Sequence, residues 1–338
     1  MEEHGIALPS KPTALLSVHT RRWESPDLAA ADVDLNAPLS SVLVVFLNGL
    51  GLPQDSWFPV ADAIPALLAQ RALPVASQVL LMSYDRYGQG RTTDKDPADA
   101  TAPDPSHGHD ALDVVADLNE LLYVVAQLLA LPGGQLPPLV FVANSIGCAV
   151  ARLYAQVYPR RVHALVLADS IIANSHYGLI IPDPDKESIP DEMHVTPEML
   201  RRARAALNAR FHPDVGNAEG FSRKNLKELL PHANAPKLLA TPTIGPYVTV
   251  LEHDPAVFLQ ESIAMPEVSP EIVEQFTHPF WHAYNNGLVE ITNAERRRGP
   301  VVVHGAGHFI HAMQPLVVAT ETVNLVVKVL LDTCPTSM

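Results

Sequence analysis

The sequence predicts an α/β fold: a doubly wound, mostly parallel sheet interrupted by a helical cap insertion. Three observations predict it. Short, continuously apolar runs recur along the chain, helical periodicity lies between them, and one long stretch carries no convincing strand.

The apolar runs come first. Val42–Leu47, Val79–Met82, Leu139–Val142, Leu165–Leu167, Val248–Leu251 and Val301–Val303 are rich in β-branched residues and do not alternate with polar ones. Strands covered on both faces in a parallel sheet have this pattern. An earlier run, about Ala14 to Trp23, mixes polar and apolar residues and suits an edge strand.

The segment from about Asp110 to Leu131 places Leu118, Leu121, Leu122, Val125 and Leu128 on one side, as an amphipathic helix does. Gly147 to Tyr158 and Pro315 to Leu331 also read as helices. Strands alternating with helices imply an open sheet wound on both faces.

From about Ile171 to Pro246 the rhythm breaks. An acidic, proline-rich loop (Ile181-Pro182-Asp183-Pro184-Asp185) precedes two expected helices, Pro197 to Arg210 and Ser222 to Leu230. A helical insertion between two strands of such a sheet is expected to cover the strand ends. The expected organisation is therefore a core of residues 1–170 and 246–338 with a cap of residues 171–245.

Composition narrows the function classes. The chain has 338 residues, 47% of them hydrophobic, enough to bury a large core. Its formal net charge of -14 repels phosphate backbones, which argues against nucleic acid as a partner. Two cysteines, Cys148 and Cys334, are too few for a disulfide framework, and no metal-ligand spacing is present. The polar, acidic start Met1-Glu2-Glu3-His4-Gly5 has no basic segment followed by an apolar run. No apolar stretch is long enough to span a bilayer. The expectation is a cytoplasmic protein that needs no cofactor or metal; oligomeric state is not readable.

Chemistry concentrates after the run Leu139–Val142, which leads into Ala143-Asn144-Ser145-Ile146-Gly147 and then a helix. A serine on a sharp strand-to-helix turn is thrust out at the carboxyl end of the sheet. Small flanking residues let the turn pass its neighbours. Ser145 also precedes a helix N-terminus, whose dipole and free N–H groups favour a developing anion.

Here the sequence resembles the α/β-hydrolase family. The resemblance runs through Val142-Ala143-Asn144-Ser145-Ile146-Gly147-Cys148-Ala149, then Tyr158-Pro159, Val162 and Val166-Leu167-Ala168-Asp169-Ser170. The family usually has glycine at Ala143 and often at Cys148; both replacements are small. The likeness spans roughly Val42 to Leu331 and weakens in the cap. It makes Ser145 the expected nucleophile.

The resemblance implies the order serine, acid, histidine. The base is expected after the last strand, where Gly305-Ala306-Gly307-His308 lets a loop curl the imidazole toward the serine. That makes His308 the expected general base. His304, His311 and the other histidines have no such context. The acid is expected just past the strand Val248–Leu251, where Asp254 fits best. Asp169, ending the strand after the elbow, and Glu252 remain alternatives.

Acyl transfer also needs backbone donors for the oxyanion. The resemblance assigns the N–H of Ile146 and, from the loop Asn48-Gly49-Leu50-Gly51, the N–H of Leu50. The segment Asp85-Arg86-Tyr87-Gly88-Gln89-Gly90-Arg91-Thr92 resembles the family's Asp-x-x-Gly-x-Gly-x-Ser loop and reads as structural. No Lys-Ser/Thr pair follows its glycines, so it is not a phosphate cradle.

The first expectation for function is thus a serine hydrolase cleaving a carboxylic ester or lactone of a small hydrophobic molecule. Acyl transfer, or carbon–carbon bond hydrolysis, is a second use of the same triad. A catalytically silent ligand-binding protein is a third reading. Epoxide hydrolases and haloalkane dehalogenases share the fold but need a carboxylate where this chain has Ser145.

Overall fold

The computed structural model describes residues 1–26, 40–73, 77–131, 134–189 and 194–334. Eight strands form one sheet in the order β1-β2-β4-β3-β5-β6-β7-β8. They are β1 (Glu2–Leu8), β2 (Lys11–Glu24), β3 (Ser40–Leu47), β4 (Ser77–Tyr84), β5 (Leu139–Ser145), β6 (Val162–Ser170), β7 (Tyr247–His253) and β8 (Arg297–Val303). β1 and β2 pair antiparallel, and β2 runs antiparallel to β4. Every pairing from β4 through β8 is parallel. The six apolar runs all fall in strands of this parallel part. The run expected as an edge strand is β2, but it is not at the edge: β1 pairs with its outer side and is the edge strand instead.

The helices are α1 (Phe58–Leu68), α2 (Ala111–Leu128), α3 (Ile146–Val157), α4 (Tyr177–Ile180), α5 (Pro197–Phe211), α6 (Leu226–Leu229), α7 (Pro255–Ser262), α8 (Pro270–Ile272), α9 (His278–Leu288), α10 (Ile310–Met313) and α11 (Pro315–Thr333). Two apolar layers sandwich the sheet. One packs alternate strand residues such as Leu43, Val45 and Phe141 against α2 and α3. The other packs Val42, Val44, Val140 and Val142 against α1 and α11. β3 is buried on both faces, from Val42 to Leu47. That explains its unbroken apolar run, and each such side chain contributes about 1.5–3 kcal/mol by leaving water.

Local sequence sets the helix ends. Asp110 caps α2, accepting from the N–H groups of Leu112 and Asp113, while the Asp113 carboxylate accepts from the Asp110 N–H. Thr196 caps α5 through the N–H of Met199. The helix expected from Ser222 to Leu230 is a single turn, α6. Just before it, the Arg223 guanidinium donates to the carbonyls of Phe211, His212 and Val215 and ties the entry of the segment to the end of α5. Between β6 and β7 the described residues of the insertion carry α4, α5 and α6 and no strand of the sheet.

Parallel strands place their carboxyl ends along one edge, where the loops after β3, β5, β6, β7 and β8 converge. Open α/β sheets bind ligands at that edge.

Candidate active site

Ser145 is the last residue of β5 and immediately precedes α3, with φ 55° and ψ −124°. Left-handed φ is uncommon outside glycine and is held only where surrounding structure over-determines it. The determinants are visible. A Cβ on Gly147 would lie 2.3 Å from the carbonyl oxygen of Leu47, so only glycine lets α3 start against the end of β3. Cys148, where the family often has glycine, donates its thiol to the carbonyl of Ala143 at 3.3 Å and fills the space. Burial raises that thiol well above its usual pKa, so Cys148 is inert packing.

Gly49 approaches the turn from the other side: a Cβ there would stand 3.4 Å from the Ser145 Cβ. The loop it belongs to is clamped from behind. Arg86 donates to the carbonyls of Asn48 and Gly49, each at 2.9 Å, and Gln89 donates to the Gly49 carbonyl at 2.9 Å. Both side chains also bind the buried carboxylate of Glu219, which accepts from Arg86 Nε at 2.8 Å. Glu219 lies in the insertion, and its carboxylate also accepts the N–H of Gly51. The Asp85–Thr92 loop is thus structural, as expected: it holds the carbonyls of Asn48 and Gly49. Asn48, where the resemblance expects histidine, spends its amide on Tyr84, Asp85 and Gln89.

His308 follows β8 through a loop with Gly305 at φ 75°. Its N–H donates to Glu261 at 3.0 Å and its carbonyl accepts from the Asn144 amide at 3.0 Å, which ties the histidine loop to the residue before Ser145. Its ring nitrogen Nδ1 lies 2.6 Å from Oδ2 of Asp169.

The acid expected first, Asp254, is elsewhere. Its carboxylate caps α7 through the N–H of Ala256 at 3.0 Å and accepts the N–H of Gly305 at 3.0 Å. It therefore braces the start of the histidine loop and leaves the ring of His308 to Asp169. These N–H donors hold the Asp254 carboxyl below the usual carboxylate range. Glu252, the third candidate, is buried and accepts from Nδ1 of His282 at 2.8 Å and from Asn285.

The parallel register explains why Asp169 faces His308. Asn144 pairs with Ala168 but Ser145 pairs with Ser170, so Asp169 is an extra residue in β6 opposite the elbow. Such a bulge re-aims a side chain, and Asp169 has φ 45°. Its carboxylate is fully buried. Burial alone would raise its pKa, but hydrogen bonds from His253 and His308 outweigh burial and hold it below the usual value. An ionised carboxylate only accepts, so both imidazoles carry a proton on Nδ1. His253 Nδ1 lies 2.7 Å from the other oxygen, Oδ1, and its Nε2 lies 3.1 Å from Nδ1 of His278. His253 has no counterpart in the sequence expectations; its only signal is a position two residues past the run Val248–Leu251.

A cavity of about 600 Å³ opens over this edge of the sheet, with Leu50, Ser145, Ile146 and His308 in its wall. Tyr177, Leu207 and Phe211, between β6 and β7, line it. Phe258, Met265 and Trp281, between β7 and β8, line it as well. This second wall, α7 to α9, was not anticipated. The exposed lining is mostly apolar, as hydrophobic-ligand pockets are.

The model of the alpha/beta hydrolase family matches residues 44–321. The chain belongs to the alpha/beta hydrolase family. No curated protein matches it significantly. Among solved structures it is similar to an epoxide hydrolase mutant from Vigna radiata, with 11% identity, a TM-score of 0.54, and coverage of 97% of this chain and 98% of that one. It is also similar to a soluble variant of monoglyceride lipase from Saccharomyces cerevisiae, with 13% identity, a TM-score of 0.50, and coverage of 97% and 94%. At these identities the likeness is one of fold. Among the described residues no helix of this alpha/beta hydrolase is long and apolar enough to cross a membrane.

Proposed function

We propose that this alpha/beta hydrolase is a serine hydrolase that cleaves a carboxylic ester or lactone of a small hydrophobic molecule. One observation carries the reading. A serine in a left-handed turn shares the wall of an apolar cavity with a histidine whose far nitrogen is bound to a buried, ionised aspartate.

In this reading Ser145 Oγ attacks the carbonyl carbon while its proton passes to Nε2 of His308. The carbonyl π pair moves onto oxygen, and the N–H groups of Leu50 and Ile146 donate hydrogen bonds to that oxyanion. Ile146 is the first residue of α3, where a backbone N–H has no partner within its helix. Asp169 keeps the proton of His308 on Nδ1 and stabilises the imidazolium. The intermediate collapses, the carbon–oxygen bond of the leaving alcohol breaks, and the alcohol oxygen takes the proton from His308. Water then repeats the sequence on the acyl-enzyme and releases the acid. The triad is thus Ser145, His308 and Asp169, with Asp254 as a structural cap.

The cavity supports an uncharged, apolar group beside the reacting carbonyl, and the insertion of residues 171–245 acts as its cap. The test is turnover of a series of p-nitrophenyl esters of increasing chain length. The wild type is expected to hydrolyse them and Ser145→Ala to lose about a millionfold in kcat, with an unchanged far-ultraviolet spectrum. A Ser145→Ala protein that hydrolyses them at the wild-type rate contradicts the assignment.

A further inference from the structure

We propose that His253 is a positioning residue for the catalytic acid, which is held between two imidazoles rather than bound to one. This proposal rests on the triad reading above and deepens it.

A carboxylate that orients a catalytic histidine needs a fixed rotation about its own Cβ–Cγ bond. In Asp169 the oxygen that does not face His308 supplies that constraint. Oδ1 accepts from Nδ1 of His253 at 2.7 Å and from the His253 backbone N–H at 3.3 Å. Both side chains of this second pair are fully buried, so no water competes for the bond.

The ring of His253 is itself fixed on every side. It stacks on Phe258 of α7, with centroids 4.0 Å apart and 20° between planes, and meets Trp281 of α9 edge-on at 5.7 Å. Trp281 is anchored in turn by its indole N–H, which donates to the carbonyl of Ser170 beside the acid. The remaining nitrogen of His253 meets Nδ1 of His278, also on α9. With Nδ1–H of His253 donated to Asp169, its Nε2 is left to the 3.1 Å contact with His278.

His253 does not line the cavity and is buried, so it has no route to substrate and is no rival to His308 as base. It acts through Asp169. Removing its donor leaves one oxygen of a buried carboxylate without its imidazole partner, a costly state that the group relieves by taking up a proton. Protonated Asp169 no longer stabilises the imidazolium of His308. Because activity needs the ionised acid, the acid limb of the activity profile moves to higher pH. Among the described residues, the titratable groups facing this chain of imidazoles are Asp169 from β6, Glu252 from β7, His278 and His282 from α9, Cys148 from α3, Tyr177 from α4, His311 from α10, and His308.

The test compares three variants, His253→Asn, His253→Gln and His253→Leu, with the wild type. An asparagine amide places a donor near the position of Nδ1, whereas glutamine reaches the position of Nε2 and leucine donates nothing. The measurement is p-nitrophenyl ester hydrolysis and fluorophosphonate labelling of Ser145 across pH, with thermal unfolding as the folding control. His253→Asn is expected within about threefold of wild type. His253→Gln and His253→Leu are expected to lose roughly ten- to a hundredfold in kcat, the worth of a hydrogen bond to a charged group, with KM unchanged. Their acid limbs are expected to lie at higher pH. If leucine fails to fold, the contrast between asparagine and glutamine still decides. Wild-type kcat and an unmoved acid limb in His253→Leu or His253→Gln would overturn the proposal alone, as would equal losses in all three variants with no shift of the limb. A wild type that neither turns over nor labels would overturn the reading of Ser145, and this proposal with it.

Discussion

Oδ2 of Asp169 lies 2.6 Å from Nδ1 of His308, although the two residues are 139 positions apart in the chain. The contact joins the end of β6 to the loop after β8 across the intervening strand β7. In the proposed mechanism it gives the two acidic candidates opposite jobs, and the jobs separate experimentally.

Asp169→Asn is expected to lower kcat by about 10³- to 10⁴-fold with a folded protein, because the amide favours the wrong tautomer of His308. Asp254→Ala is expected to cost about 1 kcal/mol, the usual worth of an N-cap side chain, and to leave kcat within a few-fold. Steady-state kinetics and thermal unfolding of the two variants check this pair. A larger kinetic loss in Asp254→Ala would return Asp254 to the triad.

The pH dependence follows from the direction of the Asp169 shift. Its folded pKa is depressed below its unfolded value. The stability it contributes is therefore present above the unfolded pKa, about pH 4, and is lost only as pH falls through the lower folded value. Above about pH 4 the carboxylate stays ionised. The acid limb of kcat/KM above that pH should then fit a single ionisation, with no second proton taken up by Asp169. Rates measured from about pH 4 to 9 check it; a limb that needs two protons would contradict it.

Gly147→Ala is expected to destabilise the protein by about 1–3 kcal/mol and to reduce kcat, because the new Cβ would lie 2.3 Å from the Leu47 carbonyl oxygen. The wedge separates Ser145 from the loop carrying Leu50. Thermal unfolding and ester turnover measure the two effects, and a neutral substitution would show that the approach relaxes freely.

Glu219→Gln removes the charge that faces the buried Arg86 guanidinium. Breaking such a pair on one side costs on the order of 3–5 kcal/mol. Because Arg86 holds the carbonyls of Asn48 and Gly49, kcat should also fall while the catalytic side chains remain. Denaturant unfolding together with kcat on one ester tests both parts.

Much of this was legible in the sequence where burial is symmetrical. The parallel strands are covered on both faces, so Val42–Leu47 and Leu139–Val142 read as unbroken apolar runs. Ser145 was legible because a strand, a small-residue turn and a helix leave one place for it. Asp169 ranked behind Asp254 because its aim comes from a one-residue bulge between β5 and β6, and hydrophobic periodicity does not encode a bulge. His253 was invisible for a similar reason: its partner lies on the neighbouring strand. α1 contains Pro59 and Pro65, which disguise a helix packed on α11. The wall from α7 to α9 includes a π-helical stretch, Val273–Thr277, whose wider turn blurs the helical period.

The central claim is that Ser145 is an activated nucleophile, and its most direct test is covalent. The protein is treated with a fluorophosphonate and the adduct is mapped by peptide mass spectrometry in the wild type, Ser145→Ala and His308→Ala. The account predicts one adduct, on Ser145, absent from Ser145→Ala and formed far more slowly in His308→Ala. An unlabelled Ser145 in the folded wild type, or an equal labelling rate without His308, would contradict it.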